Sequence, residues 1–212
     1  MSVSPALVLL GFGGHARSVA DVALAAGYQK LVFVETTARD GESFLGFPVQ
    51  QYMPAEGRGW VYLPCSGDNR RRLEQLRQLE AAALQVATVI SPGATIGHEA
   101  TLGPGCFVGH HAHIGPMARV GAACIVNTGA VIEHDCVVGN SCHVSVHACL
   151  AGKGSLGDCV FLGAGSVVID GVQVASHVTI GAGGVVVKTI DAPGIYAGVP
   201  VRRIRDAISA DR

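Results

Sequence analysis

Between residues 90 and 186 every sixth residue is isoleucine, leucine or valine, and the register never slips. The members of this series are Ile90, Ile96, Leu102, Val108, Ile114, Val120, Val126, Ile132, Val138, Val144, Leu150, Leu156, Leu162, Val168, Val174, Ile180 and Val186. The fourth residue after each aliphatic is usually small. The residue directly after it is often glycine, which we expect where a turn needs a positive φ. This pattern predicts a triangular parallel β-helix with about 18 residues in each coil.

Residues 6 to about 85 lack this period and alternate between apolar runs and helical patterns. Leu7–Leu10 and Leu31–Val34 predict buried strands, and residues 15–26 predict a helix that follows a glycine turn. The segment GDNRRRLEQLRQLEAA predicts a second helix, with Asp68 or Asn69 as its N-cap. This order predicts a Rossmann-like βαβ start to an α/β domain.

The two patterns divide the chain into an α/β domain over residues 1–85, a β-helix over 86–190 and a tail over 191–212. The glycine turn GFGGHA departs from the G-x-G-x-x-G fingerprint at Ala16, yet such a turn can still place an anion at a helix N-terminus. The tail, with GIYAGVPVRRI, is expected to cover the open end of the β-helix core. Whether its arginines meet ligand phosphates or lie on a solvated capping helix stays open.

The composition disfavours two classes of partner. Fifteen Lys and Arg against 16 Asp and Glu give a net charge of −1, which argues against nucleic acid or an anionic membrane as the main partner. The chain has no secretion signal and no apolar segment long enough to span a bilayer, so we expect a cytoplasmic protein with reduced thiols. Four cysteines fall on the small corner position, where we expect them to pack: Cys106, Cys124, Cys136 and Cys142.

Two histidine-rich stretches are candidates for chemistry. IEHDCVVGNSCHVSVH holds His134, His143 and His147 beside two carboxylates, and GHHAHIG holds three further histidines, His110, His111 and His113. Because adjacent residues on a strand point to opposite sides, three converging ligands in GHHAHIG are not expected. The spacing of Cys136 and Cys142 is not that of a zinc site either, so no metal is predicted.

Five segments, together with the β-helix, carry a resemblance to a known family: GFGGHARSVADVA, SGDNRRR, NTGAVIEHDCVVG, HVSVHACLAG and GIYAGVPVRRI. The chain resembles the hexapeptide-repeat nucleotide-sugar N-acetyltransferases of the bacillosamine and perosamine type, with sialic acid O-acetyltransferase-like relatives. This resemblance covers nearly the whole chain. It implies a left-handed β-helix, a homotrimer, and acetyl-CoA as co-substrate with no metal.

The resemblance also implies roles for single residues. His134 is the expected general base and Asp135 its carboxylate partner, with Glu133 as a rival partner. His143 and Gly152 are expected to contact acetyl-CoA, Gly152 through its backbone N–H. Ala164 and Ala182 are expected to line the coenzyme channel. The sugar nucleotide is expected to contact Gly13, Gly14, His15 and Gly67, and its base is expected to contact Glu35 and Thr36. Since uridine-using relatives carry two aspartates at positions 35 and 36, a GDP-linked sugar such as GDP-perosamine is favoured over a UDP-linked one.

The chemistry agrees with these residue types. An amine that attacks a thioester must lose a proton, and imidazole, with an unperturbed pKa near 6.5, is suited to accept it. His134 and His143 are nine residues apart, which is half a coil, so they cannot stack on one face. We therefore expect one site to take residues from two subunits of a trimer, with acetyl-CoA in the groove between β-helices.

Three alternatives stay open from the sequence. A γ-type carbonic anhydrase is also a trimeric β-helix, and His111 and His147, 36 residues apart, would stack two coils from each other. The expected close histidine pair is missing, however, and the N-terminal domain would have no role. A catalytically inactive sugar-nucleotide scaffold is disfavoured by the intact IEHD motif. O-acetylation of a sugar hydroxyl remains possible because a histidine base serves a hydroxyl equally well.

Overall fold

The computed structural model describes residues 5–54 and 59–206 of the 212-residue chain. Its N-terminal part is an α/β domain with these elements: β1 (Leu7–Leu10), α1 (Gly14–Ala25), β2 (Leu31–Val34), β3 (Ser43–Phe44), β4 (Phe47–Gln50), β5 (Val61–Pro64) and α2 (Asn69–Ala81). The sheet order is β3-β4-β2-β1-β5; β4, β2, β1 and β5 run parallel, and β3 is antiparallel to β4. Both predicted helices and both predicted strands are confirmed.

Helix α2 begins at the position that the sequence marked. Asp68 is its N-cap, and its carboxylate accepts the backbone N–H of Arg71 at 2.8 Å. Strands β3, β4 and β5 were not predicted. Strand β5 lies at one edge of the sheet, beside β1, and leads directly into the turn before α2.

The second part is a parallel β-helix whose short strands form three faces. The first face contains β6 (Val89–Ile90), β9 (Phe107–Val108), β12 (Ile125–Val126), β15 (His143–Val144), β18 (Phe161–Leu162) and β21 (Val178–Ile180). The second face contains β7 (Thr95–Ile96), β10 (His113–Ile114), β13 (Val131–Ile132), β16 (Cys149–Leu150), β19 (Val167–Val168) and β22 (Val185–Val186). The third face contains β8 (Thr101–Leu102), β11 (Arg119–Val120), β14 (Val137–Val138), β17 (Ser155–Leu156) and β20 (Gln173–Val174).

Turns join the faces at three corners. We call the turns from the first face to the second the first corner, those from the second to the third the second corner, and those from the third back to the first the third corner. In a triangular cross-section the second corner lies opposite the first face. The strands pair with those one coil away, as when Ile114 pairs with Ile132 and Ile132 with Leu150.

The six-residue series forms the core of the β-helix, as predicted. Every member from Val108 to Val186 is buried. Ile90 and Ile96 are 36% and 40% exposed, because the first coil has a neighbouring coil on one side only. The corner cysteines pack in the same core, and their thiols donate to backbone carbonyls of the following coil: Cys106 to Gly121, Cys124 to Gly139, Cys136 to Ala151 and Cys142 to Gly157.

The α/β domain packs on the first face of the β-helix. Val89, Phe107 and Ile125, which point outwards from the first three coils of this face, belong to the same buried apolar cluster as the core of the N-terminal sheet. The second and third faces carry no such cover within the described part of the chain. We call the contact between the two parts the seam.

The tail forms two strands. Strand β23 (Gly194–Gly198) continues the first face beside β21, and β24 (Val201–Arg205) pairs with β23 antiparallel after the cis peptide bond Val199–Pro200. Tyr196 and Val201 pack against the β-helix core, so this segment covers its end as expected. The alternative of a capping helix is wrong for residues 194–205, because β23 pairs with β21 and β24 pairs with β23. Among the described residues no helix is long and apolar enough to cross a membrane.

Candidate functional site

His134 lies at the second corner and touches one carboxylate. Its Nδ1 is 2.8 Å from Oδ2 of Asp135, and both side chains are about half exposed, at 47% and 49%. A carboxylate only accepts, so Nδ1 carries a proton, and in the neutral ring Nε2 then presents its lone pair. Glu133 bonds instead to the backbone N–H of His134, at 3.3 Å. In this structure the ring is therefore oriented by Asp135, whose shorter side chain reaches it.

Gly152 stands one coil further along the same corner and forms a notch beside His134. A Cβ placed on Gly152 would lie 2.6 Å from Nε2 of His134 and 3.2 Å from Oδ1 of Asp170, which follows one coil later. The Gly152 N–H donates to no protein group among the described residues. The notch thus combines a basic nitrogen, a free backbone donor and a carboxylate.

The second corner carries more carboxylates than cations around His134. Glu133, Asp135 and Asp170 belong to this corner, together with the exposed Lys153, whose backbone N–H donates to the His134 carbonyl at 2.9 Å. The pKa of the nearby Cys149 thiol is raised first by burial and then by the charges of Glu133 and Asp170. A cationic group approaching the notch would be stabilised by the same carboxylates.

His15 and His143 meet at the seam, on the opposite side of the β-helix from His134. Their ring centroids are 6.2 Å apart, and the rings contact Phe107 and Phe161 at 5.1 and 4.9 Å respectively. His143 is 9% exposed, and its Nε2 is 3.3 Å from the amide nitrogen of Asn127. Within the described residues Nε2 of His15 is buried without a hydrogen-bond partner.

Both seam histidines are neutral at pH 7. Burial, then the charges of His143 and Arg72, lower the pKa of His15 to about 3. Burial, then Arg72, lower the pKa of His143 to about 4, against an opposing backbone contact from Gly67. These rings can accept or donate hydrogen bonds to a ligand as neutral imidazoles.

The predicted sugar-nucleotide residues gather at the carboxyl edge of the N-terminal sheet. Gly13 is the N-cap of α1 without a side-chain cap, and a Cβ on Gly13 or Gly14 would meet no atom within 4 Å, so this turn is open to a ligand. Gly67 lies beside it, since a Cβ on Gly67 would be 4.0 Å from Cβ of His15.

Glu35 and Thr36 line a cleft of about 620 Å³ at the same edge. Further lining residues include Leu10, Tyr52, Met53, Arg71 and Glu74. Glu35 accepts the hydroxyl of Thr36 at 3.4 Å, and its carboxylate stays exposed to the cleft. Leu10, which lines the cleft, is the last residue of β1, the strand that leads into the open turn.

Ala164 and Ala182 lie at the first corner on adjacent coils, where Gly183 N–H donates to the Ala164 carbonyl at 2.9 Å. Both are exposed. The structure therefore brings the predicted residues together in two groups: the second corner with His134, and the seam with the cleft and the first corner. A single chain does not join these groups, because the β-helix lies between them.

Two of the other histidines, His110 and His113, make structural contacts. His110 bonds to Ser91 at 2.7 Å and to Asp21 of the N-terminal domain at 3.2 Å, and His113 bonds to Thr95 at 2.7 Å. Among the described residues no group of three or more His, Cys, Asp or Glu side chains is arranged to hold a metal ion.

Two residues near these groups were not predicted from the sequence. Arg72 is fully buried at the seam, and Asp170 borders the Gly152 notch. A signal for Arg72 existed, because it shares helical spacing with Leu76 and Leu79 on the buried side of α2. Asp170 is two coils after His134, so the repeat itself placed it at the same corner.

A parallel β-helix that carries an oriented histidine over a glycine notch, preceded by an α/β domain, defines the class of hexapeptide-repeat acyltransferases. Comparisons narrow this class. The model of the PglD N-terminal domain family matches residues 6–79. The acetyltransferase domain of PglB from Neisseria gonorrhoeae is 30% identical with a TM-score of 0.88, covering 94% of this chain and 100% of its own. The same domain in complex with acetyl coenzyme A gives a TM-score of 0.89.

A further match is a histidine-to-alanine mutant of GDP-perosamine N-acetyltransferase from Caulobacter crescentus, in complex with CoA and GDP-perosamine. It is 31% identical with a TM-score of 0.87, covering 95% of this chain and 97% of its own. Among curated protein sequences none matches this chain. The chain belongs to the sugar N-acetyltransferase family, and this membership replaces the carbonic anhydrase alternative.

Proposed function

We propose that the protein transfers the acetyl group of acetyl-CoA to the C4 amine of a nucleotide-linked 4-amino-4,6-dideoxy sugar, with His134 as general base. The observation that carries this proposal is the His134 ring, held by Asp135 at Nδ1 with its free Nε2 over the Gly152 notch. The Neisseria relative was solved with acetyl coenzyme A and the Caulobacter relative with CoA and GDP-perosamine, which supports both substrates.

The proposed reaction is direct transfer in a ternary complex. The amine nitrogen attacks the thioester carbonyl carbon while Nε2 of His134 takes a proton from the amine. The carbonyl electrons move to oxygen, where the Gly152 N–H stabilises the oxyanion, by about 3 kcal/mol for a well-placed donor. As the carbon–sulfur bond breaks, the imidazolium returns the proton to the thiolate. Asp135 stabilises the imidazolium between these steps.

The charge at the second corner favours an amine over a hydroxyl acceptor. Glu133, Asp135 and Asp170 outnumber Lys153 at this corner and would attract the ammonium form of a 4-amino sugar, which releases one proton to solvent before the neutral amine attacks. A hydroxyl gains nothing from this charge. N-acetylation is therefore preferred to the O-acetylation alternative.

The base cleft supports a GDP-linked sugar. Guanine presents two adjacent N–H donors on one edge, and a carboxylate such as Glu35 can accept both. Uracil presents a single N–H, so one carboxylate gains only one hydrogen bond from it. GDP-perosamine is the substrate that this argument favours, and a UDP-linked sugar comes next.

A homotrimer would complete the site. The outward residues of the second face are apolar in four successive coils, namely Val131, Cys149, Val167 and Val185, and they are only half-buried in one chain. If three copies pack around this face, the second corner of one subunit meets the first corner of its neighbour. This arrangement would bring His134 to the partner's Ala164, Ala182 and sugar-nucleotide cleft, with acetyl-CoA in the groove between the β-helices.

An acetyl-CoA thiol-release assay with UDP- and GDP-linked 4-amino sugars tests this function. We expect highest kcat/KM with GDP-perosamine and a loss of about 10²–10⁴-fold in His134→Asn. His98→Asn is the matched control, because His98 is exposed at the same corner two coils earlier. An unchanged kcat/KM in His134→Asn across the pH range would refute the base assignment. Acetylation of a 4-hydroxy sugar alone would support the O-acetyl alternative.

A further inference from the structure

Arg72 is a fully buried arginine in the first turn of α2, at the seam. Every nitrogen of its guanidinium donates. The bonds are Nε to the Ala123 carbonyl (2.7 Å), Nη1 to the carbonyls of Ser66 (2.9 Å) and Gly67 (3.3 Å), and Nη2 to Asn69 Oδ1 (2.8 Å) and the carbonyls of Ser141 (3.1 Å) and Cys142 (3.2 Å). This side chain therefore has no donor left for a ligand.

The acceptors belong to both parts of the molecule. Ser66 and Gly67 form the turn after β5, next to the open turn that begins α1. Ala123, Ser141 and Cys142 lie at the third corner of two successive coils, and the second of these coils continues directly into His143. One guanidinium thus joins the sugar-nucleotide edge of the N-terminal domain to the coil that carries a seam histidine.

None of the acceptors is charged. Burial lowers the pKa of the Arg72 guanidinium, and backbone carbonyls rather than a carboxylate solvate its charge. The planar fork of arginine reaches these carbonyls in directions that the three donors of a lysine ammonium cannot reproduce. The arrangement is thus specific for arginine and for the relative position of the two parts.

A second tie holds the start of α2 without touching the Ser66–Gly67 turn. The Ser141 hydroxyl donates to the Asn69 carbonyl at 2.6 Å, and the Asn69 amide donates to the Val160 carbonyl at 3.1 Å. The start of α2 therefore keeps bonds to the β-helix that do not involve the Arg72 side chain, so a variant of this tie separates docking of the helix from positioning of the turn.

We propose that Arg72 is a positioning residue that fixes the Ser66–Gly67 turn against the His143 coil. The bound sugar nucleotide is thereby held at a fixed distance from the first face of the β-helix. This inference rests on the proposed function for the identity of the ligand. A merely structural arginine would stabilise the fold and leave the turn and its ligand affinity unchanged in the folded protein.

The test compares Arg72→Lys with two controls. Ser141→Ala removes one of the two bonds of the other tie, and Arg77→Lys changes an exposed arginine of the same helix. In Arg72→Lys we expect faster amide hydrogen exchange at residues 65–69 and about a tenfold weaker affinity for GDP and the amino-sugar nucleotide, with the KM for acetyl-CoA unchanged. Ser141→Ala is expected to lower Tm without changing either quantity.

The proposal is overturned if Arg72→Lys only lowers Tm while exchange at residues 65–69 and nucleotide affinity match those of Ser141→Ala. A measurement on the unmodified protein covers the case in which Arg72→Lys does not fold. In ¹⁵N-arginine NMR, the buried Nε signal of Arg72 should shift when GDP is added, and an unchanged signal at saturating GDP would contradict the proposal. If the unmodified protein acetylates no amino-sugar nucleotide, the proposed function fails, whereas the exchange result still decides whether Arg72 positions the turn.

Discussion

At the residue scale, the chemistry of His134 depends on what its two ring nitrogens face. Asp135 accepts a hydrogen bond from Nδ1, which leaves Nε2 as the base. Because Gly152 has no side chain, there is room for the reacting amine beside Nε2. The glycine thus has two roles in the proposed site, as an oxyanion donor and as a notch.

Gly152→Ala tests the notch. The new Cβ would lie 2.6 Å from Nε2 and 2.8 Å from Cε1 of His134, so the ring must move away from the position of the reacting amine. We expect kcat/KM to fall about 100-fold, since small displacements of a catalytic group have effects of this size. Steady-state kinetics of the thiol-release assay measure it.

The control is Gly93→Ala, where a Cβ meets only Ser91 Oγ at 3.7 Å. This variant should keep its full activity. Equal kcat/KM for Gly152→Ala and the unmodified protein would show that His134 does not work from the observed position.

Sequence motifs paired His134 with Asp135 but grouped Gly152 with His143 as coenzyme contacts. In the structure Gly152 lies beside His134, because positions 18 residues apart share a corner, whereas His143 lies at the seam. The motifs could not show that Asp135 rather than Glu133 holds the ring, since both flank His134 and only the backbone geometry separates them. They also gave no sign that Arg72 rather than Arg70 or Arg71 is buried, except through helical phase.

At the element scale, the glycines directly after the core aliphatics were expected to supply a positive φ, but the structure gives a different reason for them. Asp135, Ser141 and Lys153 adopt positive φ without being glycine. Gly103 instead has an ordinary φ, but its Cβ would lie 2.6 Å from the backbone nitrogen of Ala122 in the next coil. Close approach of coils, not φ, therefore selects glycine directly after the core aliphatic.

Gly103→Ala should accordingly destabilise the β-helix. The contacts at 2.6 and 2.8 Å are all to backbone atoms, which cannot move aside without shifting the next coil. Overpacking of this kind costs about 1–3 kcal/mol of unfolding free energy. Denaturant unfolding would measure the loss, and a stability within error of Gly93→Ala would contradict the close-approach explanation.

The six-residue period predicted the strands of the β-helix almost residue by residue, because each aliphatic has a single inward position. It could not predict β3 and β4, which are short and partly exposed, or the strand pairing of the tail. Those elements depend on neighbours far along the chain.

At the scale of the whole molecule, the seam links stability to pH. The pKa values of His15 and His143 are lowered to about 3 and 4, below the unfolded value of 6.5, so between these values the unfolded chain binds more protons than the folded one. The stability that these two neutral histidines contribute is fully present above about pH 6.5 and is lost as pH decreases towards 4 and 3.

Thermal unfolding between pH 4 and 8 checks this prediction. His143→Gln removes one of the two groups and should weaken the fall of Tm below pH 6.5, whereas His98→Gln, at an exposed position, should follow the unmodified protein. A Tm that rises as pH decreases from 6.5 would contradict neutral seam histidines.

The order of the two parts was predictable, but their docking was not. Val89, Phe107 and Ile125 point outwards from the first face, and the period sorted only the inward residues. The position of the N-terminal domain opposite the second corner is what makes a site shared between subunits necessary in the proposed function.

The most direct test of this account mixes two inactive variants. His134→Asn lacks the base, and Gly67→Leu fills the sugar-nucleotide turn with a side chain whose Cβ meets only His15 Cβ at 4.0 Å. Both are denatured together, refolded at equal amounts and assayed for thiol release with GDP-perosamine. Random trimers should regain about one quarter of the unmodified activity, because one interface in four would combine an intact base with an intact turn from the neighbour. No activity in the mixture, with trimers confirmed by light scattering, would contradict a site shared between subunits.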